Sequence, residues 1–111
     1  MKLFTTFLSY LFIAILSFSS PAHAEPANLK HFTSGSYQQL LKEYADKPFV
    51  LMIWSISCAS CLKKMPVMSE LQKTMPGVNL IMLATDDASA TDQVKSILTG
   101  NELNHVDNWI F

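Results

Sequence analysis

The sequence predicts an α/β fold built on parallel strands, and three observations carry that reading. Phe49-Val50-Leu51-Met52-Ile53-Trp54 and Val78 to Ala84 are two short runs that are largely apolar on both faces, as covered parallel strands are. Between them, Leu62, Met65, Met68 and Leu71 return an apolar residue every three or four positions, the period of a helix. Pro76-Gly77 then turns the chain, and the short connections make strand, helix and strand a right-handed βαβ unit.

The totals set outer bounds. A chain of 111 residues is one domain at most. Its formal charge is −1, its strong bases are all lysines, and no basic stripe exists, so nucleic-acid binding has no electrostatic footprint. Like charges never run beyond a pair, which removes any sign of a charged disordered tail.

Taken in order, the chain opens on a targeting segment. Met1-Lys2 is weakly positive, Leu3 to Phe18 is mainly apolar, Ser19-Ser20-Pro21 breaks it, and Ala22-His23-Ala24 is a small-x-small cleavage site. The run is shorter than the ~20 residues a bilayer span needs. Residues 1–24 are therefore expected to be a cleaved signal peptide that exports the chain to an oxidising compartment. An uncleaved N-terminal membrane anchor is the alternative. No cysteine lies near the cleavage site, which excludes a lipoprotein.

Residues 25–33 lack periodicity and read as an exposed lead-in. Ser36 and Gln39 stand in capping-box spacing at the start of a helix whose apolar face is Tyr37, Leu40, Leu41 and Tyr44. That helix must end by Lys47, because Pro48 pushes its predecessor out of the α region. Phe49 to Trp54 reads as a central strand. A helix over about Ala59 to Thr74 follows, with a kink expected at Pro66, and then the second strand. Asp86 and Asp87 read as capping and turning residues. Ser89 and Asp92 open a third helix that Gly100 stops, and Val106 to Phe111 begins an extended segment.

The chemistry sits between the first of these strands and its helix, in Trp54-Ser55-Ile56-Ser57-Cys58-Ala59-Ser60-Cys61. These are the only two cysteines of the chain. Residues at i and i+3 share a helix face, so the two sulfurs can close a small ring. The helix N-terminus favours the thiolate of the first sulfur. Cys58 is thus the candidate nucleophile and Cys61 the candidate resolving thiol. A disulfide closed over three residue steps constrains the unfolded chain little, so it serves poorly as a staple and well as a redox switch.

The stretch Trp54 to Leu71, with Cys58, Cys61, Met65-Pro66 and Met68-Ser69-Glu70-Leu71, resembles the active-site region of the thioredoxin-like superfamily. It is most similar to the periplasmic TlpA-type thiol–disulfide oxidoreductases. The resemblance implies a thioredoxin-like α/β fold over 34–111, the periplasm as the oxidising compartment, and Cys58–Cys61 as a redox-active disulfide. Trp54 would be a supporting aromatic and Pro66 a fold marker in the helix. It also implies protein thiols and disulfides as partners, including apocytochromes, with a membrane thiol carrier as electron donor and the chain acting as reductant.

Several features depart from the pattern. Ser57 replaces the aromatic that many relatives carry before the first cysteine. Met52 stands where the family has a buried acid. No proline follows position 76, so the family's cis-proline has no counterpart. The expectation is accordingly an incomplete member, a βαβα portion with an N-terminal helix and without the C-terminal hairpin and last helix. Some of Val50, Met52, Leu80 and Met82 would then be short of cover.

No cofactor or metal is expected. Two thiolates are too few for a zinc site, and His23, His31 and His105 lie far off in sequence. The methionines at 52, 65, 68, 75 and 82 follow helix and strand faces, the distribution of core filler. Lys63 and Lys64 read as a solvated helix face. Two other function classes stay open: a redox-inactive thioredoxin-like binding module, and a copper carrier.

Overall fold

A computed structural model describes residues 21–111. The signal-peptide reading of residues 1–24 lies outside the described residues except for its last four positions, which are exposed and irregular. The elements run β1 (Leu29–His31), α1 (Ser36–Glu43), β2 (Phe49–Trp54), α2 (Ala59–Thr74), β3 (Asn79–Ala84), α3 (Thr91–Gly100) and β4 (Asp107–Ile110). A single 3₁₀ turn, Ala88–Ala90, leads into α3. The four strands form one parallel sheet in the order β1-β4-β3-β2.

Strand alternation divides the core into two clusters, one on each face of the sheet. Leu80, Met82 and Ala84 of β3, with Trp54 and Ile110, pack against Met65 of α2 and Val94 and Leu98 of α3. On the other face Ile81, Leu83 and Trp109 meet Leu40 of α1. β3 is buried along almost its whole length, as a strand covered on both faces must be. Leu80 and Met82, expected to be candidates for missing cover, are in fact 3% and 0% exposed.

The structure corrects four expectations. The supposed lead-in contains β1, which pairs with β4 from Leu29↔Asn108 to His31↔Ile110, and Ala27 beside it is buried. Three residues held by main-chain pairing leave no periodic trace in a sequence. β2, expected to be central, lies at the edge of the described sheet, with Ile53 58% and Val50 36% exposed. An apolar run reports affinity for a sheet, not rank within it.

Helix ends account for the other two. Ser36 does not cap α1; it is the buried first helical residue, and its hydroxyl accepts the Thr33 N–H at 2.8 Å. Gly100 does not stop α3 but is its last residue, and the left-handed position falls on Glu102, at φ 57°. Leu103 N–H donates to Leu98 C=O (2.8 Å) and Glu102 N–H to Thr99 C=O (3.1 Å), the Schellman pattern, with Leu98 and Leu103 both in the core.

Candidate functional site

β2 ends at Trp54, and the chain makes a tight turn before α2, closed by Cys58 N–H donating to Ser55 C=O at 3.1 Å. Cys58 is the N-cap residue of α2. Its backbone is extended (φ −89°, ψ 91°), its C=O accepts the Leu62 N–H at 3.0 Å, and its Sγ accepts the Cys61 N–H at 3.2 Å. The sulfur thus takes the role a serine or aspartate oxygen plays at other helix starts. α2 has sixteen residues and no acid in its first turn, so its N-terminal field on Cys58 is unopposed from within the helix. Lys63 and Lys64 are exposed one turn further on.

Cys58 and Cys61 are joined as a disulfide with their Cα atoms 5.2 Å apart. The two sides of the pair differ. Cys61 packs against the larger core cluster, whereas Cys58 sits at the rim beside the Ser60 hydroxyl, 3.6 Å away. A partially exposed first sulfur at a helix N-terminus and a second one backed by the core suit attack by the first and resolution by the second.

Trp54 is 2% exposed and belongs to the core beneath this turn. Its C=O accepts from both the N–H (2.9 Å) and the hydroxyl (3.3 Å) of Thr85. Pro66 is exposed within α2, which runs through it without a break. At 1.5 Å per residue it lies roughly 12 Å along the axis from Cys58, too far to touch the sulfurs. Asp86, read from the sequence as a turn residue, reaches the site: its Oδ2 accepts the Ile56 N–H at 3.0 Å. Parallel β2 and β3 end at the same edge of the sheet, so the residues after Ala84 lie beside those after Trp54. That topology is the signal that could have singled out Thr85 and Asp86. Asp87, next in line, does cap as expected: its Oδ1 accepts the Ser89 N–H (2.9 Å) and hydroxyl, which together hold its carboxyl below the usual range.

Among the described residues no three His, Cys, Asp or Glu side chains converge on a possible metal position. No described helix is long and apolar enough to cross a membrane.

No protein-family model matches the chain, and no curated protein matches it. Among solved structures it is similar to a secreted Mycobacterium tuberculosis disulfide oxidoreductase homologous to E. coli DsbE, at 25% identity and a TM-score of 0.52. The match covers 61% of this chain and 49% of that one, so the chain spans about half the length of that protein. With its parallel sheet, its helices on both faces and a Cys-x-x-Cys pair opening the helix after β2, the chain has the thioredoxin-like fold.

Proposed function

We propose that the chain is a thiol–disulfide oxidoreductase that works through Cys58 and Cys61. The observation that carries the reading is Cys58 as the N-cap of α2, its sulfur taking the Cys61 N–H. The Cys58 thiolate attacks one sulfur of a partner disulfide, forming a mixed disulfide and releasing the partner's other sulfur as a thiolate. The Cys61 thiolate then attacks the Cys58 sulfur and releases the partner's second thiol. Two electrons pass to the partner, and Cys58–Cys61 ends as the disulfide in the structure.

The finer reading is a TlpA-type protein exported to the periplasm by residues 1–24. It reduces protein disulfides, apocytochromes among them, and is recharged by a membrane thiol carrier. The similarity of Trp54 to Leu71 to that group supports it, as does the secreted oxidoreductase to which the fold is similar.

The roles are tested by trapping. Cys61→Ser is expected to accumulate mixed disulfides with partner proteins and Cys58→Ser to accumulate none; trapping that followed Cys61 would reverse the assignment. Direction is tested by equilibrating the dithiol with glutathione buffers. A potential near that of DsbA, about −120 mV, would make the chain an oxidant instead.

A further inference from the structure

We propose that Asp86 is a positioning residue for the dithiol, its carboxylate holding the turn that places Cys58 at the start of α2. The proposal rests on the exchange reading above. The turn from Trp54 to Cys58 is tied to the rest of the sheet through the segment that leaves β3. Thr85 fixes the Trp54 C=O, and Asp86 Oδ2 takes the Ile56 N–H at 3.0 Å, across 30 residues of chain. The Ile56 side chain packs against the core cluster, so this residue is held on two sides. The side-chain contact between Ser55 and Ser57, at 3.2 Å, is local and exposed and anchors nothing to the sheet.

Asp86 is the member of this arrangement with a charge, and charge and geometry predict opposite outcomes. As a nearby anion, a carboxylate disfavours the Cys58 thiolate, so its removal would lower the thiol's pKa. As the anchor of the turn, it keeps Cys58 where the Cys61 N–H and the end of α2 meet its sulfur. Its loss would then let the sulfur leave that field and raise the pKa. Asparagine keeps an acceptor oxygen and drops the charge; alanine drops both.

The test is the pH dependence of iodoacetamide alkylation of Cys58 in the full chain carrying Cys61→Ser. Asp86→Ala, Asp86→Asn and Asp87→Ala are compared with that parent. The expected result is an apparent Cys58 pKa raised by about half a pH unit or more in Asp86→Ala. Asp86→Asn is expected to stay at or below the parent, and Asp87→Ala to match it. An Asp86→Ala value at or below the parent would overturn the proposal. So would an equal rise in Asp86→Asn, or in Asp87→Ala, since either would mean that any disturbance of the loop has the same effect. A parent whose Cys58 titrates at the ordinary thiol value and traps no partner would overturn the exchange reading, and the positioning role with it. A depressed parent value left in place by Asp86→Ala would sink only the positioning role.

Discussion

Tyr44 shows how a single side chain ties a helix to the sheet. Its hydroxyl donates to Asp107 Oδ2 at 2.9 Å, and Asp107 Oδ1 pairs with Lys30 Nζ at 2.8 Å, so the C-cap of α1, β4 and β1 meet at one carboxylate. Burial, then the hydrogen bond to Asp107 and the negative charge of that carboxylate, push the Tyr44 phenol up to about 12. A raised folded-state value means that the neutral phenol is the stabilised form. Its contribution is complete below the unfolded value near 10 and is lost as pH climbs from about 10 to about 12. Tyr44→Phe keeps the ring contact with Phe49 and leaves Asp107 Oδ2 unpaired, at an expected cost of about 1–3 kcal/mol near pH 8. Urea titration in the cold at pH 8 and pH 11 checks both points, because the gap between variant and parent should narrow at the higher pH. The Cys58–Cys61 pairing and the place of Trp54 at the strand end were legible in the sequence, since residue type and spacing along one turn encode them. Asp86 and the Tyr44–Asp107 bond were not, because partners 30 and 63 residues apart meet only once strand order is known.

At the scale of elements, β2, α2, β3 and α3 were legible from periodicity and turn chemistry, and every miss falls at an end or an edge. The end of α3 shows why. Gly100 is a good stop signal in isolation, yet the helix continues one residue past Thr99 because burying Leu98 and Leu103 together fixes where the Schellman turn falls. Glu102 therefore occupies a left-handed position that glycine would enter without steric cost, and its exposed pairing with Lys73 at 2.6 Å offsets little of this. Glu102→Gly is expected to raise the melting temperature by roughly 2–6 °C, as scanning calorimetry would show. A fall would mean that the Lys73 pair outweighs the backbone. The rank of β2 was hidden for a different reason. Its six residues are as apolar as those of β3, but one long side lacks a partner strand among the described residues, and Ile53 projects into solvent. An open apolar edge is a template for another chain. The purified protein is expected to self-associate at micromolar concentration and Ile53→Lys to stay monomeric, as sedimentation velocity would report; equal behaviour of the two would clear this edge of the role.

At the scale of the whole molecule, the two core clusters are unequal: among the described residues, ten are buried on the face of α2 and α3 and four on the face of α1. Stability should divide along that line. Amide exchange is expected to be slowest in β3, and fastest in α1, an eight-residue helix with Tyr37 and Leu41 exposed. Protection of α1 equal to that of β3 would mean one cooperative unit instead of two tiers. The pairing of β1 with β4 carries a consequence in time. Asn104 Nδ2 donates to Glu25 C=O across 79 residues, and β1 docks on β4 over the same span, whereas β2 and β3 join across well under half that distance. At a synthesis rate of about 5–20 residues per second, β1 waits some 4–16 s for its partner to exist. During that wait Leu29 to Phe32 is open to chaperones and proteases while the strand–helix–strand unit bearing the cysteines can already close. The strand–helix–strand unit bearing Cys58 and Cys61 can thus assemble before β1 has a partner strand.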